Sequence, residues 1–122
     1  MGDQRKYIVH RRVPRRQFFR KIGLLSKGVY EISQSFEVGE RGMLIASSTP
    51  LNKDDLVVIS FNIPGLLSTV VRGIVRYSLE DSQGYHKMKI GVEFQESDFD
   101  IKRKIRNYVA SREDEALIVG DN

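Results

Sequence analysis

The sequence predicts an all-β domain with one helix: a six-stranded antiparallel β-barrel closed by a C-terminal α-helix. Three observations predict it. Short runs rich in β-branched and aromatic residues recur between glycine- and proline-containing breaks from Tyr30 to Phe94, the pattern of a small barrel or sandwich. Apolar residues take up helical spacing only at Ile101, Ile105, Tyr108 and Val109, so one amphipathic helix follows the strands. Five arginines crowd around Pro14 ahead of the first long strand, and proline's missing donor and fixed φ favour an extended or turning segment there over a helical one.

In order, residues 1–10 read as a polar lead with the apolar group Tyr7-Ile8-Val9, residues 11–112 as a single domain, and residues 113–122 as a tail. Tyr30, Ile32, Gln34, Phe36 and Val38 are assigned the buried face of the first long strand. Gly39-Glu40-Arg41-Gly42 is a tight connection to a second strand at Met43 to Ala46. A polar break containing Pro50 leads to Leu56–Ile63, a strand rich in β-branched residues. Pro64-Gly65 turns the chain into Leu67–Leu79 as a hairpin, with Gly73 expected to mark a bulge. After the polar loop Glu80 to Gly84, His86, Met88, Ile90, Val92 and Phe94 form the inner face of the next strand. The helix is expected from Asp98 to Arg112, capped by Ser97 with Asp100, and with Lys102, Arg103, Lys104 and Arg106 on a solvated face. The predicted core comprises Phe36, Ile45, Val57, Ile59, Phe61, Val75, Ile90, Val92 and Phe94.

At 122 residues and 40% hydrophobic content the chain is sized for one domain. Cysteine is absent and there are two histidines, His10 and His86, so disulfides and thiolate chemistry are excluded and no metal site is expected. No histidine stands in a nucleophile arrangement, and Asp54-Asp55 reads as turn chemistry. The chain is therefore read as a non-enzyme without catalytic residues or cofactor. No apolar run approaches the roughly twenty residues that span a bilayer, and the first ten residues lack the apolar centre of a signal peptide, so a cytoplasmic protein without a membrane partner is expected. The net charge of +4 arises largely between Arg5 and Lys27, a stretch with no acidic residue. That asymmetry favours an anionic partner.

The densest part of this stretch is His10 to Arg20, HRRVPRRQFFR. Guanidinium groups stay charged at any working pH, grip phosphate oxygens in bidentate fashion and stack on flat rings. A phosphorylated ligand is the chemistry they suit.

The barrel, the arginine cluster ahead of it, the glycine-containing turn and the closing helix together resemble the PilZ domain family over nearly the whole chain. Its arginine motif RxxxR occurs in the cluster as Arg11 with Arg15 and as Arg12 with Arg16, which leaves the register open. RGIVRY at Arg72 to Tyr77, and GVEF at Gly91 to Phe94 followed by a helix, are similar to the family's closing strands. The resemblance implies a bacterial second-messenger receptor for cyclic di-GMP, in which the arginines hold phosphates and stack on guanine. A second motif, D/N-x-S-x-x-G, contacts base and phosphate from the barrel surface. Carried onto this chain, the implied ligand-binding residues are Arg11, Arg12, Arg15, Arg16, Glu37, Gly39 and Gly42. The implied assembly is a monomer or weak homodimer signalling to a downstream protein.

The second motif departs from the pattern, because Glu37-Val38-Gly39-Glu40-Arg41-Gly42 keeps only its final glycine. A Glu37 carboxylate accepts two N–H bonds as an aspartate does, but its extra methylene displaces the oxygens. Gly39 removes a hydroxyl, a loss of about 0.5–1.5 kcal/mol and roughly tenfold in affinity. The expectation is retained binding of reduced affinity, tightened by Glu37→Asp with Gly39→Ser unless Gly39 holds a left-handed φ. One alternative is a PilZ-like protein-interaction module that binds no nucleotide, with Gly39 and Gly42 serving as turn residues. The other is a barrel that binds single-stranded nucleic acid; it ranks lower because the basic groups precede the first strand instead of spanning a sheet face.

Overall fold

A computed structural model describes residues 14–80, 88–95 and 98–120, with the helix side chains as far as Ser111. The elements are β1 (Arg15–Gln17), β2 (Lys21–Ser26), β3 (Val29–Gly39), β4 (Gly42–Ser47), β5 (Leu56–Ile63), β6 (Leu67–Glu80), β7 (Met88–Gln95) and one helix, α1 (Phe99–Gly120). Strands β2 to β7 form a six-stranded antiparallel barrel in the order β3-β2-β5-β6-β7-β4, and β4 closes it by pairing with β3. The short β1 lies on the same edge of β3 as β2, paired with Glu37 to Gly39.

Local chemistry explains the turns. Lys27 and Gly28 both have positive φ, 51° and 77°, as a two-residue hairpin turn matched to strand twist requires. Pro64 presets one turn position, Gly65 supplies φ 76°, and the Leu66 amide closes the turn on the Ile63 carbonyl at 2.9 Å. The pairing shifts register between Ser35 and Glu37 in β3 and between Val75 and Tyr77 in β6. Such irregularities bend and coil strands, which lets a small sheet close on itself. Gly73 is not at either shift; a Cβ there would lie 2.3 Å from Val92 Cγ1. Its role is close packing, not the expected bulge.

Of the predicted core, Ile45, Val57, Ile59, Phe61, Val75, Ile90, Val92 and Phe94 are buried, while Phe36 is half-buried. The face assigned to β3 is corrected: Tyr30 and Ile32 are about 60% and 62% exposed, and Ser33 and Ser35 point inward. A single alternation was read through a strand that contains a register shift. The shift at Ser35/Glu37 reverses which parity faces the core, so Val38 is buried although Tyr30 and Ile32 are not. The inward serines are satisfied by backbone: Ser33 Oγ donates to the Ala46 carbonyl at 2.6 Å, and Ser35 Oγ donates to the Phe18 carbonyl. Strand β2, read from sequence only as a mixed stretch, buries Ile22 and Leu24.

Helix α1 packs on the barrel through buried Ile105 and Val109 and half-buried Ile101 and Tyr108. Phe18 joins the two parts, meeting Phe61 edge-on at 6.2 Å and Tyr108 at 6.0 Å. Asp98 caps the helix, accepting the Asp100 amide at 3.1 Å; Ser97, the expected cap, lies outside the described residues. The helix runs to Gly120, past the expected end at Arg112. Three of the basic residues on its exposed face are paired: Arg103 and Lys104 with Asp100 at 2.7 and 3.2 Å, and Arg106 with Glu40.

Candidate ligand site

Antiparallel pairing of Arg15 with Gly39 lays the arginine segment beside the β3–β4 turn. A cavity of about 740 Å³ opens there, with Arg15 and Arg16 of β1 at one end, Glu37, Gly39, Arg41 and Gly42 along β3, β4 and the turn between them, and Arg76, Tyr77, Gly91 and Glu93 of β6 and β7 at the other end. The structure thus brings together five of the seven site residues predicted from sequence: Arg15, Arg16, Glu37, Gly39 and Gly42. Arg11 and Arg12 lie outside the described residues, as do His10 and His86.

Phe18 positions the arginines. Its ring is buried, so β1 and the bonds from the Phe18 amide to the Phe36 carbonyl (2.8 Å) and from the Ser35 amide to the Arg20 carbonyl (2.9 Å) are fixed from the core outward. Alternation then sends Arg15 and Arg16 to opposite faces. Arg15 Nη1 lies 3.6 Å from Glu37 Oε1. Arg16 turns toward α1, where its guanidinium sits 3.9 Å from the Tyr108 ring centroid and Nη1 donates to the Tyr108 carbonyl at 3.0 Å and to Ser111 Oγ at 3.5 Å.

The turn between β3 and β4 is also tied to the helix. Arg106 Nε and Nη2 donate to the two Glu40 carboxylate oxygens at 3.2 and 3.1 Å. That hydrogen bonding holds the Glu40 carboxyl below its ordinary range and raises Arg106. At the far end of the cavity Arg76 is paired with Glu93 and lies 3.8 Å from Asp54.

Gly39 and Gly42 do not act as left-handed turn residues; among the described glycines, positive φ occurs at Gly28 and Gly65. They permit close approach. A Cβ on Gly42 would lie 2.2 Å from the Val92 carbonyl oxygen, and one on Gly39 would lie 2.8 Å from the Pro14 carbonyl oxygen and 3.1 Å from Arg15 Cγ. The space a serine would need at position 39 is filled by the backbone of the arginine segment.

Sequence reasoning missed Arg41, Arg76, Tyr77, Gly91 and Glu93 as cavity residues. RGIVRY lies on β6 and GVEF on β7, and the pairing of these strands is what brings both to the cavity. It also missed a third RxxxR spacing within the cluster, Arg16-Gln17-Phe18-Phe19-Arg20, which was legible in the residues themselves.

The domain is a closed barrel with a cleft, lined by four arginines and two glutamates, between an extended arginine segment and a hairpin. The PilZ domain model matches residues 14–111, and the chain belongs to that family. Solved structures share the fold at low identity: Bacillus subtilis MotI/DgrA, an inhibitor of motility (TM-score 0.73, 13% identity, 84% of this chain and 50% of that chain); K. pneumonia MrkH in complex with c-di-GMP (0.67, 16%, 88% and 54%); and Escherichia coli YcgR in complex with c-di-GMP (0.69, 14%, 91% and 49%). The chain spans about half the length of these proteins. It aligns with nearly all of the isolated PilZ domain of YcgR, which was solved with c-di-GMP (0.65, 14%, 92% and 98%). No curated protein sequence matches the chain significantly.

Proposed function

We propose that the chain is a cyclic di-GMP receptor domain, acting in the bacterial cytoplasm as an adaptor toward a downstream protein and not as an enzyme. The observation that carries this reading is the cavity itself, which in a PilZ barrel is lined by Arg15, Arg16 and Arg41 together with Glu37 and sets Arg15 against Glu37. Arginines supply bidentate donors to phosphate and planar faces to a base, and Glu37 supplies an acceptor for guanine N–H groups. The chain has four RxxxR spacings, three in the arginine cluster and one at Arg72 to Arg76; of the three ahead of the barrel, Arg16 to Arg20 alone lies wholly within residues 14–111. We therefore assign the motif to Arg16 and Arg20, with Arg15 as the preceding arginine. Arg11 and Arg12 reinforce the charge from outside this register.

Affinity is reduced relative to a site with both motifs, for two reasons. Gly39 offers no hydroxyl, and ligand must compete with the Arg15–Glu37 and Arg16–Tyr108 contacts. Those same contacts favour the second reading, a protein-docking module whose arginines are internally engaged. Amide chemical shifts on adding cyclic di-GMP discriminate. The receptor reading expects changes at Arg15–Gln17, Glu37–Gly42 and Gly91–Glu93. Changes confined to the outer face of β2, β3, β5 and β6, where Tyr30, Ile32 and Val70 are exposed, would refute it.

A further inference from the structure

The cavity has an aromatic end as well as a cationic one. Successive antiparallel partners run in one row across five strands: Tyr77 opposite Gly91, Gly91 opposite Leu44, Leu44 opposite Glu37, and Glu37 opposite Gln17. At about 4.8 Å per strand, Tyr77 stands roughly 14 Å along the row from Glu37 and roughly 19 Å from β1. Between them lie Gly91, which carries no side chain, and half-buried Leu44, which also lines the cavity.

Tyr77 lies down on Gly91. A Cβ on Gly91 would sit 2.2 and 2.3 Å from Tyr77 Cε2 and Cζ, so the ring rests against the Gly91 backbone. The residue stays 42% exposed and lines the cavity. An aromatic ring backed by backbone on one side and open on the other presents a π-face held at little further entropic cost. Its neighbour Arg76 is engaged with Glu93 and Asp54, so this end carries compensated charge and a flat apolar surface. Phosphate belongs at the arginine end, and a planar base suits the Tyr77 end.

Resting on the cyclic di-GMP reading above, we propose that Tyr77, seated on Gly91, is the stacking platform for one purine base of the bound nucleotide. This distance from the arginines matches a ligand with two bases joined by phosphates better than a mononucleotide. Tyr77 then discriminates by the base, while the arginines hold the backbone.

The test is calorimetric titration of cyclic di-GMP into the wild type and into Tyr77→Phe and Tyr77→Leu, each first shown folded by its thermal transition. Leucine still covers Gly91 but has no π-face, and phenylalanine keeps the face. Base–aromatic stacking is worth about 1–3 kcal/mol per base, so Tyr77→Leu should weaken binding roughly 5- to 150-fold, and Tyr77→Phe should stay within about threefold. The chain has no tryptophan, so Tyr77→Trp provides a single reporter whose emission should be quenched at saturation. Wild-type binding with an unweakened Tyr77→Leu, or an unchanged Trp signal at saturation, overturns the stacking role and leaves the receptor reading standing. No wild-type binding of cyclic di-GMP overturns both.

Discussion

Placing serine at position 39, the substitution that would rebuild the second motif, should destabilise the protein. A Cβ at Gly39 meets the Pro14 carbonyl oxygen at 2.8 Å, about 0.6 Å inside an ordinary contact of 3.4 Å, and Arg15 Cγ at 3.1 Å. The first of these atoms is backbone, and Arg15 is fixed in register with Gly39, so β1 must move outward or lose its pairing. Overpacking of this kind costs about 1–3 kcal/mol. The clash comes from the Cβ, so Gly39→Ala should cost about as much as Gly39→Ser. Urea denaturation measures this as a lower midpoint at unchanged slope. Affinity for cyclic di-GMP should not improve, because the displaced backbone is the one carrying the arginines. A Gly39→Ser protein as stable as the wild type would refute the seating of β1 on the hairpin.

Other outcomes follow from the same geometry. Phe18→Ala should cost about 3–5 kcal/mol as a buried aromatic, and it should also raise amide exchange through β1, because Phe18 ties that strand to Phe61 and Tyr108; Phe61→Ala should cost a similar amount in denaturation. Tyr108→Leu removes the ring under Arg16 but keeps the carbonyl bond, so it should increase exchange in α1 without unfolding the barrel. Glu40 has its pKa lowered from 4.5, chiefly by the hydrogen bond from Arg106. The stabilisation is therefore complete above about pH 4.5 and is lost as the pH falls through the lower folded value. Exchange in α1 should rise in acid for the wild type, and Glu40→Gln should remove that part of the pH dependence.

The strands were legible where one alternation runs unbroken, as in Leu56–Ile63, where the predicted core named Val57, Ile59 and Phe61 and left out Ile63, the fourth inward residue. They were misread where geometry interrupts alternation. No residue type announces the register shift at Ser35/Glu37, so the exposed side chains of Tyr30 and Ile32 looked like core. The site was legible as chemistry in Arg15, Arg16 and Glu37, because charged groups ahead of and within a strand stand out. Tyr77, Gly91 and Glu93 were not, since they join the site only through β6–β7 pairing, a long-range property. The alternative reading of Gly39 and Gly42 as left-handed turn residues does not hold: sequence shows a glycine, but only packing separates close approach from left-handed φ. The Arg16–Arg20 spacing stands in the sequence itself.

The receptor assignment is tested most directly by calorimetric titration of the wild-type chain with cyclic di-GMP, beside GTP and a single-stranded oligonucleotide under identical salt. The account predicts saturable heat with cyclic di-GMP, little with the other two, and loss of that heat when Arg15 and Arg16 are both replaced by alanine. Saturable heat with the oligonucleotide alone, or cyclic di-GMP binding that survives the double replacement, would contradict it.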